Sequence, residues 1–284
     1  MTDDLAGGFQ SVDAASDFAL FSSCLTLIDS LPFFAECKRE SYELLGVAPE
    51  RRILEVGCGL GDDAVSLARL VAPGGSVVAI DGSQTMITAA RERHGDVVGL
   101  SFDVADAAQL PFDDASFDAC RVDRVLQHIA DPAPAVREMV RVIRPGGVLV
   151  AYDNDWETLT VDFVDRGLTR TVLNAWCDRF PSGWMRLVPL FLQAGLRDVV
   201  THPKTLVLRE LGVADRISLF DRRATRGRSA YQSQRRQSLV GRAANRRCGR
   251  TLLHLVHRVP GLRDSARRRR AGVVMRSNGV DPSV

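Results

Sequence analysis

No apolar run in the 284 residues approaches the roughly 20 that a membrane-spanning helix needs, so no membrane partner is expected. The first residues, Met-Thr-Asp-Asp, are acidic where a secretory leader carries basic groups. The six cysteines, Cys24, Cys37, Cys58, Cys120, Cys177 and Cys248, stand singly, with no C-x-x-C pair and no histidine cluster at metal-ligand spacing. This excludes a disulfide frame and a zinc site, so no metal is expected. It fits thiols kept reduced in a cytoplasmic protein.

Acidic charge is scarce in the last part of the chain and lysine is missing from it. Residues 1–215 carry 19 basic against 32 acidic side chains, whereas residues 216–284 carry 18 arginines, no lysine and only 3 aspartates. An acidic body argues against general nucleic-acid affinity, which leaves only the basic tail as a nucleic-acid candidate. Two readings of that tail stand. It is a disordered basic segment, or it is the product of a shifted reading frame in a GC-rich gene, since one permitted back-translation of residues 238–265 yields an apolar, strand-like string one base away.

Between residues 50 and 152 short apolar runs alternate with amphipathic stretches. Strands are expected at Arg52–Val56, 76–81, 97–104, 116–122 and 148–152, and helices at 64–70, 84–93 and 133–143. This alternation specifies an α/β fold with a mostly parallel sheet and helices on both faces. Two short helices are expected over Phe18–Leu45, where they cover the open end of the sheet. Leu159–Leu192 reads mostly helical, and Leu196–Glu210 reads as one or two strands. The expected organisation is a helical cap over 1–48, a ligand-binding domain over 49–215 and the Arg-rich tail over 216–284.

The most informative stretch is "ILEVGCGLGDD" (53–63). A glycine turn after a buried strand lets the backbone pass close to a ligand and aims helix N–H groups at it. Dinucleotide sites use G-x-G-x-x-G, but here Gly57, Gly59 and Gly61 are followed by Asp62 in place of the third glycine. Glu55 precedes them. A carboxylate there repels a pyrophosphate and suits a cation. Asp81 ends the second expected strand, about 20 residues beyond the loop, where an acid accepts hydrogen bonds from ribose hydroxyls. Asp106 and Ala107 follow the third strand and pair a carboxylate with a backbone N–H, which suits the amino edge of an adenine.

Taken with "VVAIDGS", "DAAQLPF", "SFDAC", "RVLQHIADP" and "RVIRPGGVLV", the loop resembles the class I S-adenosylmethionine-dependent methyltransferases, within them the small-molecule type 11, ubiquinone/menaquinone-biosynthesis-like group. The resemblance spans roughly residues 15–210. It implies a Rossmann-like three-layer sandwich with strand order 3-2-1-4-5-7-6, the seventh strand antiparallel. Nothing after residue 215 reads convincingly as that strand, so it is expected to be missing or altered. The resemblance implies S-adenosyl-L-methionine as cofactor, held by Glu55, Gly57, Gly59, Gly61, Asp81, Gly82, Met86, Asp106, Ala107 and Arg124.

The reaction implied is methyl transfer to a small-molecule acceptor through an O, N or C nucleophile, in which the protein aligns and desolvates the reactants. His128, Asp123 and Asp153 are the candidate bases for an acceptor that must lose a proton, and a structural role for His128 competes with that one. Trp156, Trp184 and Arg186 are the candidate acceptor contacts. No Asn-Pro-Pro-Tyr run is present, which argues against a nucleic-acid or glutamine acceptor. The alternatives are a cofactor-binding but inactive protein with a damaged carboxyl end and an NAD-dependent oxidoreductase, which Glu55 and Asp62 disfavour.

Overall fold

The computed structural model describes residues 8–15, 17–161, 165–182, 187–208 and 248–258. Two helices open the described chain, α1 (Phe18–Ser30) and α2 (Pro32–Leu45). The expected apolar runs then form β1 (Arg52–Val56), β2 (Ser76–Asp81), β3 (Leu100–Val104), β4 (Phe117–Asp123) and β5 (Ile143–Asn154). Between them lie α3 (Asp62–Val71), α4 (Gln84–His94) and α5 (Ala133–Val142). The two-residue strand β6 (Thr160–Val161), α6 (Arg166–Cys177), α7 (Leu187–Gln193), β7 (Arg197–Leu208) and β8 (Cys248–Arg258) follow.

The five central strands pair in parallel in the order β3-β2-β1-β4-β5. Successive side chains of a strand point to opposite faces, so a sheet covered on both sides needs apolar residues at every position. Leu54, Val56, Cys120, Val122, Leu149 and Ala151 pack on one face against Val136 and Met139 of α5. Ile53, Val77, Ala79, Ala119 and Val150 pack on the other against Leu67 and Val71 of α3 and Ile87 of α4. Each of the Val, Leu, Ile and Met side chains among them contributes about 1.5–3 kcal/mol of burial free energy. The strand expected over 97–104 begins at Leu100, because Gly99 turns the chain with φ +79°.

The final strand corrects an expectation. Cys248–Arg258 is a strand, antiparallel to β5 on one side and to β7 on the other, which completes the order β3-β2-β1-β4-β5-β8-β7. Its centre, Thr251 to Val256, is a short β-compatible run that arginine-rich flanks disguise as charged tail. The stretch expected to be mostly helical over 159–192 also holds β6, which pairs with β8 at Thr160 and Val161.

Strand order reverses between β1 and β4. At that switch point the loops leaving the two strands diverge to opposite faces and open a crevice above the carboxyl ends. α1, α2 and the segment around Val12 close over it.

Candidate cofactor and acceptor site

A cavity of about 590 Å³ occupies the crevice, lined by residues from the loops after β1, β2, β3 and β4, the end of β5, α1, α2 and the segment 9–13. The glycine turn forms its floor. Gly57, Gly59 and Gly61 have φ of +73°, +52° and +87°, a region costly for any residue with a Cβ. A Cβ on Gly57 would lie 2.1 Å from Val125 Cγ2, and one on Gly61 would lie 2.8 Å from the Phe102 ring. The Gly57 and Cys58 N–H groups both donate to Ile80 O, at 2.7 and 2.9 Å, and tie the turn to β2.

Asp81 joins the first turn to the second. Its Oδ2 accepts from Gly59 N and its Oδ1 from Ser83 N, each at 2.9 Å, and burial raises its carboxyl above the ordinary range. Ser83 caps α4 by accepting from Met86 N at 3.1 Å. Gly82 and Met86 line the cavity beside it, as do Asp106 and Ala107; Asp106 Oδ1 accepts from Ala108 N at 2.8 Å. All ten residues expected to hold the cofactor line this cavity, except Gly61, which shapes the turn from behind.

Beneath the glycine turn lies a buried charge cluster centred on Arg121 of β4, itself 0% exposed. Its Nη1 pairs with Glu55 Oε1 and reaches Asp63 Oδ2 at 3.3 Å. Its Nη2 pairs with Asp123 Oδ2 at 2.6 Å, and its Nε donates to Ser41 Oγ at 2.8 Å. Lys38 bridges Asp29 and Asp63 at 2.5 and 2.8 Å, and Arg124 Nε holds Asp123 Oδ1 at 2.6 Å. Burial and the neighbouring carboxylates Asp63 and Asp123 push the Glu55 carboxyl up to about 8, against the pull of Arg121. Asp123 goes the other way: burial works to raise it, but Arg124 and Arg121 together hold it below the usual carboxylate range. Glu55 lines the cavity, and its Oε2 has no hydrogen-bond partner.

From the amino end, Asp13 fastens the covering segment. Its carboxylate accepts from Ser83 Oγ at 2.6 Å and from Gln84 N and Thr85 N at 3.0 Å each, at the positive end of α4. The segment thus lies against the turn that carries Asp81.

The other end of the cavity is aromatic. Trp156 stacks on Phe180 with ring centroids 4.1 Å apart and an interplanar angle of 12°, and Trp176 packs against both. The half-buried ring of His128 lies between Phe9 and Phe180, at 5.6 and 5.5 Å. Burial and Arg124 lower the His128 pKa to about 4. Asp153 is buried outside the cavity lining, and its two oxygens accept from Gln127 N and Asn154 N at 3.1 Å each; burial raises it to about 7. Of the three candidate bases, Asp123 is therefore held by two guanidinium groups, Asp153 by two backbone amides, and His128 by a neighbouring amide. Trp156 lines the cavity, whereas Trp184 and Arg186 lie outside the described residues.

Comparison with known proteins bears on the family and the fold that carry this cavity. Residues 54–151 match the family model described as a methyltransferase domain. The chain is 35% identical over 117 residues to a demethylmenaquinone methyltransferase of Staphylococcus aureus, which covers 41% of this chain and 48% of that protein. The domain over residues 54–151 is a class I S-adenosylmethionine-dependent methyltransferase domain of the type 11 group. It is 38% identical over 191 residues to an uncharacterized 37.1 kDa protein in transposon TN4556 of Streptomyces fradiae, over 66% of this chain and 55% of that one. The chain thus spans about half the length of these curated relatives. In fold it is similar to the YcgJ protein of Bacillus subtilis, with a TM-score of 0.59 at 18% identity, over 80% of this chain and all of the other.

The fit of this domain to S-adenosylmethionine rests on two observations. A glycine turn in the left-handed region, with no room for a Cβ at Gly57 or Gly61, follows β1 against the cavity, and a buried carboxylate oxygen of Glu55 stands without a partner. Sequence reasoning missed Arg121, Lys38, Asp63, Gln127 and Asp13. For Arg121 a signal exists. An arginine inside "DACRVD", a central parallel strand, must find buried anions, and Glu55 is its neighbour across the β1–β4 pair.

Proposed function

We propose that this methyltransferase moves the methyl group of S-adenosylmethionine to a small, ring-bearing acceptor seated against Phe9, Phe34, Trp156 and Phe180. The observation that carries the reading is one continuous cavity with the glycine turn and Asp81 at one end and aromatic rings at the other. The cofactor supplies an activated methyl group on a cationic sulfur. Asp81 would hold the ribose hydroxyls, Asp106 and Ala107 the adenine edge, and Glu55 the cationic methionine end. Flat rings stack well on Trp and Phe faces, and such a wall excludes water from the reacting centre. The cations near the cavity, Lys38 and Arg124, are already paired with carboxylates, which favours an acceptor without a phosphate.

Calorimetric titration with S-adenosylmethionine and with NAD tests the cofactor half. The first is expected to bind and the second not. Asp81→Ala removes a charge-assisted acceptor worth about 1.5–3 kcal/mol, so cofactor affinity should fall roughly 10- to 150-fold. Equal affinity of wild type and variant would overturn the assignment. Turnover on a panel of phenols, quinols and amines separates an active enzyme from a cofactor-binding protein without activity.

A further inference from the structure

Between the aromatic wall and the charge cluster, Gln127 makes more side-chain hydrogen bonds than any other uncharged residue of the cavity. Its Oε1 accepts from Trp156 Nε1 and from Asn154 Nδ2, each at 2.8 Å. An indole N–H can only donate, so this contact fixes which end of the Gln127 amide is oxygen. The NH2 end then faces Arg124 O at 3.3 Å and His128 Nε2 at 3.1 Å. Because that NH2 can only donate, His128 Nε2 carries the lone pair, and the proton of the neutral ring sits on Nδ1. The Nδ1 atom is buried with no hydrogen-bond partner, on a residue that lines the cavity beside Phe9, Asn154 and Phe180.

We propose that Gln127 is a positioning residue that locks His128 in the Nδ1–H form, so that His128 donates a hydrogen bond to an oxygen of the acceptor and does not take its proton. The inference rests on the methyltransferase reading above and names the acceptor class. The acceptor carries a ring and an oxygen that is already nucleophilic or conjugated to the nucleophilic carbon, as in a phenolate or an enolate. In the transfer the bond from sulfur to the methyl carbon breaks with its electron pair left on sulfur, and a lone pair of the acceptor anion forms the new bond. On a phenolate oxygen or an enolate carbon no proton has to leave, whereas a ring carbon of a phenolate would lose its C–H proton to water after the transfer. The buried carboxylate of Asp153 supports the lock from the backbone, since it accepts from Gln127 N and fixes the turn that carries both side chains.

Long-range proton–nitrogen correlation on protein labelled with 15N-histidine reads the tautomer directly. The His128 signal is assigned by its loss in His128→Asn among the five histidines. The expected pattern at pH 7 is a protonated Nδ1 and a bare Nε2. In Gln127→Glu a carboxylate oxygen faces the ring in place of the NH2, and the pattern should invert to a protonated Nε2. A protonated Nε2 in the wild type, or the same pattern in wild type and Gln127→Glu, overturns the proposal. Should Gln127→Glu fail to fold, Trp156→Phe removes the donor that orients the amide and should give a mixture of both forms; an unmixed Nδ1–H signal there counts against the relay. Binding of S-adenosylhomocysteine, followed by calorimetry on the same samples, fails only if the cofactor reading fails, and so separates the two.

Discussion

Arg121→Met is the sharpest test of how the site is held together. The variant keeps volume and removes the guanidinium from among Glu55, Asp63 and Asp123, with Arg121 itself wholly buried. Breaking one partner out of a buried ion pair costs about 3–5 kcal/mol, because the remaining charge is left without compensation. In a domain of this size each kcal/mol moves the melting temperature by about 2–4 °C, so a fall of roughly 6–20 °C is expected. The pH dependence has a definite sign. In the wild type Asp123 lies below its ordinary value under the pull of Arg124 and Arg121, so it contributes stability above pH ~4 that is lost as pH falls further. In the variant the same carboxyls stay buried without Arg121, their pKa values rise above those of the unfolded chain, and the penalty grows with pH. The gap in melting temperature should be widest near pH 8 and narrow toward pH 5, measured by circular dichroism across that range. A gap that widens toward pH 5, or one below about 2 °C at pH 8, would refute the argument that the three carboxylates depend on Arg121.

Cofactor binding should release a proton from Glu55, whose carboxyl titrates at about 8 and is drawn down by a cation placed beside it. Calorimetry in two buffers of different ionisation enthalpy reads the proton, and affinity should rise with pH up to about 8; a flat profile from pH 6 to 8 would exclude this linkage. Gly57→Ala adds a Cβ 2.1 Å from Val125 Cγ2 at a left-handed φ, and urea unfolding should show a loss of about 2–5 kcal/mol from overpacking and backbone strain together. Adding Val125→Ala should return only the packing part. Asp13→Ala removes three hydrogen bonds that fasten the covering segment to α4, so limited proteolysis near residues 8–15 should quicken severalfold while α4 stays capped by Ser83.

The strands β1, β2, β4 and β5 were legible because a parallel sheet covered on both faces demands apolar residues in unbroken runs, and few other structures do. The glycine turn and Asp81 were legible because they follow those strands at once, where the backbone leaves little choice of position. β8 was not, since Cys248–Arg258 is flanked by arginines, and its strand character depends on finding β5 and β7 on either side. Gln127 was hidden for a related reason. Its neighbours Asn154 and Trp156 lie 27 and 29 residues away and reach it only after β5 pairs with β4. The order of sequence carries strands and turns well, and it carries side-chain pairing across a sheet poorly.

Charge explains why the unusual loop acids belong where they are. Around the cavity floor Asp29, Glu55, Asp63 and Asp123 meet, among the described residues, three cations, Lys38, Arg121 and Arg124. With Glu55 protonated the set is balanced, and with Glu55 ionised it is one negative charge in surplus. A sulfonium amino acid brings two positive charges and one negative, which offsets that surplus. A pyrophosphate would add further negative charge to a buried region already lacking cations, at a cost that grows with burial. Glu55 therefore disfavours a phosphate ligand as the sequence implied, but it does so from beneath the loop. Its Oε1 is held by Arg121, and this pairing leaves Oε2 as the unpartnered atom of a residue that lines the cavity.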